Sequence, residues 1–159
     1  MTLIIDCHGH YTTAPKQLEE WRNRQIAGIK DPSAMPKVAE LKISDDDIRE
    51  SIASNQLRLM KERGNDLTLF SPRASFMAHH IGDFNVSSTW AAICNELCFR
   101  VSQLFPENFA PVAMLPQSPG VDPATCIPEL ERCVKELGFV AINLNLDPSG
   151  GHWTAPPLP

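Results

Sequence analysis

The sequence predicts an α/β fold built on a parallel sheet, and three observations carry that expectation. Four short apolar runs, Leu3 to Asp6, Leu67 to Ser71, Phe109 to Leu115 and Phe139 to Asn145, are separated by stretches of helical periodicity. Runs of this kind suit strands covered on both faces, and strands alternating with helices imply a parallel sheet, either doubly wound or closed into a barrel. Polar residues gather directly after each run: His8 and His10, then Ser71-Pro72-Arg73, then Gln117-Ser118, then Asn143, Asn145 and Asp147. The first turn separates the two arrangements. A dinucleotide-binding sheet calls for a Gly-rich turn there, which Cys7-His8-Gly9-His10-Tyr11 is not, whereas the rim of a (β/α)8 barrel is formed by the residues just past its strands. Such a barrel takes about 250 residues. A chain of 159 residues therefore supplies about the first four β/α units of eight, as a single domain over residues 1–159.

The helices follow from spacing and caps. Pro15 suits a first helical position, and Leu18, Trp21, Gln25 and Ile29 then share one face. Between Gly28 and Ser44 a Pro-containing connection reads as a long loop or lid. Ser44 is an N-cap with Asp45, Asp46 and Asp47 in the first turn, where carboxylates favour the positive end of the helix dipole. That helix should bury Ile48, Ile52, Leu59 and Met60 and stop at Gly64. Trp90, Ile93, Cys94, Leu97, Val101, Leu104 and Phe105 mark a third helix, from a Ser87-Ser88-Thr89 start to Pro106. A fourth begins at Pro128, buries Leu130, Cys133, Val134 and Leu137, and ends at Gly138.

Composition excludes several classes. With 43% hydrophobic and 21% charged residues the chain is neither disordered nor fibrous, and a net charge of −5 without a polybasic stripe argues against a nucleic-acid partner. No apolar run reaches membrane-spanning length and no leader precedes Asp6, so no membrane partner and a cytoplasmic location are expected. The five cysteines form no Cys-x-x-Cys pair and are expected to be reduced thiols. Cys94 and Cys98 read as small buried hydrophobes, and Cys7 as a residue packed behind the first strand.

Asp6-Cys7-His8-Gly9-His10 carries the chemistry. Side chains alternate along a strand, so His8 and His10 project to one side and both rings can reach one ion. Neutral imidazole suits zinc and its neighbours, and a catalytic zinc site uses three protein ligands plus an open position. Asp6 is either a further ligand or a group orienting an imidazole. Arg73 is the one arginine placed immediately after a strand, where its planar fork can hold a carboxylate. Asn143 and Asn145 alternate onto one side of the fourth strand, opposite Ile142 and Leu144, which should pack against the helices. His79 and His80 lie in the loop after Arg73, where one of them can reach an anionic ligand, and His152 follows two glycines.

The chain resembles amidohydrolase-related barrel enzymes of the aminocarboxymuconate-semialdehyde decarboxylase group, most closely the 4-oxalomesaconate hydratases. The resemblance rests on Ile4-Ile5-Asp6-Cys7-His8-Gly9-His10-Tyr11, Phe70-Ser71-Pro72-Arg73-Ala74-Ser75-Phe76, Asn85-Val86-Ser87-Ser88-Thr89-Trp90, and Ala141-Ile142-Asn143-Leu144-Asn145 with Gly150-Gly151-His152-Trp153. It implies that His8 and His10 are two ligands of one zinc ion, with a third histidine from a fifth strand and an acidic ligand near an eighth, neither in this sequence. It implies addition of water to 4-oxalomesaconate, a tricarboxylate, with Arg73, Ser71, Asn143, Asn145 and His79 as substrate-binding residues. A related decarboxylase or hydrolase activity, or a silent half-barrel, are the alternatives. Open strand edges make a homo-oligomer, a dimer, the expected assembly.

Overall fold

The computed structural model describes residues 2–146; Asp147 and the Gly150-Gly151-His152-Trp153 stretch lie outside the described residues. Four strands, β1 (Ile5–Tyr11), β2 (Leu67–Pro72), β3 (Phe109–Met114) and β4 (Ala141–Asn143), form one parallel sheet in the order β1-β2-β3-β4. Sequential order without a reversal is that of a barrel wall, and it excludes the doubly wound arrangement, whose strand order turns back at a switch point. The chain is half of such a wall.

The first crossover holds α1 (Lys16–Gly28), α2 (Asp45–Ser51), a π-helical turn over Ile52–Leu57 and α3 (Arg58–Arg63). Ser44 caps α2 as expected: its Oγ accepts from Asp47 N, and the Asp47 carboxylate accepts from Ser44 N. Gly64, at φ 70°, ends α3 in the left-handed conformation that glycine adopts without a side-chain clash. The π turn was not legible in the sequence. The expected loop between Gly28 and Ser44 contains two short 3-10 turns and is pinned to α1, with Trp21 Nε1 donating to Lys37 O at 3.1 Å and Arg24 pairing with Glu40 at 2.7 Å.

The second crossover holds the one-turn α4 (Ala74–Met77), not expected from the sequence, and α5 (Phe84–Leu104). The α5 helix starts three residues before the expected Ser87, because Asp83 Oδ1 accepts from Val86 N and satisfies its first turn. The last crossover is α6 (Ile127–Glu131) continuing into a π-helical stretch over Arg132–Glu136.

One face of the sheet packs on these helices: Phe70, Phe109 and Ala113 meet Leu97, Cys98 and Val101 of α5, and Trp21 of α1 stacks on Trp90 of α5 at 6.2 Å. Removing a fully buried aromatic such as Phe70 from such a layer costs about 3–5 kcal/mol. The apolar start of the first strand behaves otherwise. Leu3, Ile4 and Ile5 are 64%, 48% and 47% exposed, and Cys7 is exposed rather than packed behind the strand, because β1 has only β2 as a neighbour among the described residues. Ile142 and Leu144 are likewise 42% and 53% exposed instead of packed on helices.

Candidate metal centre and active site

The two histidines are aimed by an irregularity in β1. Pairing runs Asp6 with Thr68 and then Gly9 with Phe70, so Cys7 and His8 together stand opposite Leu69. Bulges of this kind re-aim side chains next to active sites. Gly9 is required there, because a Cβ would run into Thr68 Cγ2 and lie 2.9 Å from the Leu69 carbonyl. Asp6 accepts from the His8 backbone N–H at 3.0 Å and so holds the bulge; it does not touch an imidazole nitrogen.

Beyond the bulge the rings converge, with His8 Nε2 and His10 Nε2 3.2 Å apart. Two nitrogens held by one tetrahedral zinc at about 2.0–2.1 Å would be separated by about 3.3 Å. Contacts on the other side of the His10 ring favour one tautomer. Ser71, directly paired with His10 across the sheet, is buried and donates its hydroxyl proton to Gly9 O at 3.0 Å. Its oxygen therefore accepts from His10 Nδ1–H at 2.6 Å, with Pro72 O a second acceptor at 3.1 Å. In the neutral ring that leaves Nε2 with its lone pair toward His8, the state a metal ligand needs. The donor set and its spacing thus fit a divalent ion, although two imidazoles are only part of a catalytic ligand set.

The structure brings His8, His10, Ser71 and Asn143 together around one cleft of about 160 Å³, with Val112 and Leu69 as its apolar floor. Asn145 lies two residues past β4, and its backbone is held by the Gln117 amide, which donates to Asn145 O at 2.7 Å and accepts from Asn145 N at 2.8 Å. Gln117 was visible in the sequence only as one of the polar residues behind β3.

Two expected substrate residues lie elsewhere. Arg73 is exposed, has its guanidinium 4.8 Å over the Phe76 ring, and lines a separate cavity of about 80 Å³ between the turns that follow β1 and β2. His79 is 1% exposed instead of accessible, because the turn between α4 and α5 folds its ring inward, near Arg22 and the Gln117 backbone. Neither nitrogen of His79 has a hydrogen-bond partner, and burial holds its pKa below the ordinary histidine value.

The model of the family described as Amidohydrolase matches residues 5–158. This chain belongs to the amidohydrolase family. Among the relatives of this amidohydrolase is the 2-keto-4-carboxy-3-hexenedioate hydratase of Sphingobium sp. strain SYK-6, 60% identical over 158 residues, which are 99% of this chain and 46% of that protein. The crystal structure of 4-oxalomesaconate hydratase from Rhodopseudomonas palustris is 78% identical with a TM-score of 0.90, over 98% of this chain and 45% of that one. A dihydroxybenzoic acid decarboxylase from Polaromonas sp. JS666, solved with bound manganese and an inhibitor, is 27% identical with a TM-score of 0.55 over 89% of this chain and 38% of that one. The chain thus spans less than half the length of these relatives.

Proposed function

We propose that this amidohydrolase segment is the metal-binding first half of a hydratase that adds water across the carbon-carbon double bond of 4-oxalomesaconate, giving 4-carboxy-4-hydroxy-2-oxoadipate, in the breakdown of protocatechuate-type aromatic acids. The observation that carries this reading is the convergence of His8 Nε2 and His10 Nε2, with Ser71 holding the outer nitrogen of His10, in a chain 60% and 78% identical to two hydratases. His8 and His10 hold a divalent ion, zinc in this reading. Such an ion supplies positive charge that acidifies water and draws substrate oxygens.

The remaining residues act on the substrate. Arg73, just past β2, offers a planar pair of donors to one carboxylate of the tricarboxylate, and Asn143, at the end of β4, and Asn145, two residues beyond it, offer amides to its other oxygens. Ser71 serves His10 before it serves substrate, and His79 supports the turn behind Arg73. Five free cysteines support a reducing, cytoplasmic setting. Among the described residues no helix is long and apolar enough to cross a membrane.

The decarboxylase reading stands second, on the 34% identity over 94 residues with a gamma-resorcylate decarboxylase. Incubating the full-length enzyme with 4-oxalomesaconate and with dihydroxybenzoates, before and after chelation, decides between them. Metal-dependent loss of the absorbance of the conjugated double bond with the first substrate is expected; carbon dioxide release from the second, without hydration of the first, would overturn the proposal.

A further inference from the structure

The helical segment from Asp45 to Arg63 keeps right-handed backbone angles throughout, but over Ile52–Leu57 it widens into a π turn. Such turns are rare, occur mostly as single-turn bulges inside α-helices, and are frequent at functional sites. Four of the segment's side-chain contacts go to the end of β1 and the turn behind it. Ser51 Oγ takes the Tyr11 hydroxyl at 2.6 Å, and Thr13 Oγ1 shares its proton between Ser51 O at 2.9 Å and Gln56 Oε1 at 2.7 Å. Gln56 Nε2 donates to His10 O at 2.6 Å and faces Thr12 Oγ1 at 3.4 Å.

Ser51 and Gln56 are five residues apart. At 3.6 residues per turn an α-helix would place them about 140° apart, on different faces. A π turn, whose bonds run between residues five apart, stacks them, and both then reach Thr13. His10 O, the acceptor of Gln56, also accepts from Thr12 N at 2.8 Å, closing a three-residue turn directly behind the second proposed metal ligand.

We infer that Gln56 is a positioning residue for His10: its side-chain amide, brought round by the π turn, locks the turn at the end of β1 and with it the direction of the His10 ring. Ser71 fixes which nitrogen of that ring carries the proton, and Gln56 fixes where the residue stands. The consequence for metal affinity rests on the proposed role of His8 and His10, but the locked turn does not.

The test titrates this chain with Co2+ and follows hydrogen exchange of the Thr12 amide in the same samples. Gln56→Leu should weaken Co2+ binding by about fivefold or more, as outer partners of a metal ligand do, and should speed Thr12 exchange by about tenfold, one hydrogen bond's worth. Exchange of the Val112 amide in the core should not change, which separates positioning from general destabilisation. Thr13→Val, which loses only a hydroxyl, should repeat the pattern at about twofold or more, and it carries the test if Gln56→Leu does not fold. Unchanged Thr12 exchange in a folded Gln56→Leu or Thr13→Val variant overturns the inference. Co2+ binding by the parent that is indifferent to His8→Ala and His10→Ala overturns the metal reading instead, and Thr12 exchange still decides the role of Gln56.

Discussion

Ser71 Oγ accepts the Nδ1 proton of His10 at 2.6 Å while its own proton goes to Gly9 O, so one buried hydroxyl selects the tautomer of a proposed metal ligand. Removing it leaves Pro72 O as a longer acceptor at 3.1 Å. Ser71→Ala should therefore weaken metal affinity by about tenfold, at the mild end of outer-shell effects, and Ser71→Thr should restore most of it. Equal affinity for parent and Ser71→Ala, measured by competition with a chelating dye, would show that the Pro72 carbonyl suffices.

The 3.2 Å between the two Nε2 atoms sets a second expectation. Each imidazole supplies one bond to a shared ion, so His8→Ala and His10→Ala should each lower zinc affinity by at least about two orders of magnitude, and the double variant should bind no more than background. Unchanged zinc stoichiometry in either single variant would remove that residue from the site.

Arg73 stands exposed over Phe76 without a carboxylate within salt-bridge distance among the described residues, a cation with its fork available. Removing one partner of a desolvated charge pair costs about 2–5 kcal/mol. In the full-length enzyme Arg73→Met should lower kcat/KM at least about tenfold with metal content intact, the low end of that range because Arg73 lies at the surface. A change under about twofold would make Arg73 a surface residue.

How much of this was legible in the sequence differs by element. The strand-helix alternation and the His8 and His10 pair were, because a period of two and a period of 3.6 are local signals. The bulge at Cys7 and His8 was not: the Gly9 beside it is set by how closely Thr68 and Leu69 approach, a contact 59 and 60 positions away in the chain. Gln56 was invisible for the same reason, since a polar residue inside a helix reads as a solvent face until the π turn rotates it onto His10 O. The exposed Leu3, Ile4 and Ile5 reverse the expectation of burial because a strand's cover depends on its neighbours, which composition does not encode.

Those same residues predict association. Leu3, Ile4 and Ile5 at one edge and Val140, Ile142, Leu144 and Leu146 at the other are between 42% and 87% exposed, and β1 and β4 each have one described partner strand. Unpaired edges and apolar patches seek partners. Sedimentation equilibrium of this 159-residue chain should give a dimer or larger. A stable monomer at micromolar concentration would contradict this.

His79 contributes to the pH dependence of stability between pH 7.5 and 5. Its ring is 1% exposed and neither nitrogen is hydrogen-bonded. Burial lowers its pKa first, the nearby Gln117 backbone offsets part of that without reaching hydrogen-bond geometry, and the charges of Arg22 and His80 lower it further. The folded chain thus disfavours the proton on His79, while in the unfolded chain the ring takes a proton near its ordinary pKa of about 6.5. Above that pH both states are neutral and His79 has no effect. As pH falls through about 6.5 the unfolded state binds a proton that the folded state excludes, so stability is lost progressively with acid until the lower folded pKa is passed. His79→Leu removes the titration and also the two unpartnered nitrogens. Its melting temperature should equal or exceed that of the parent at pH 7.5, and the gap should widen toward pH 5. Melting curves that stay parallel across this range would mean that His79 is protonated as easily in the folded chain as in the unfolded one, and that the turn between α4 and α5 opens to let it.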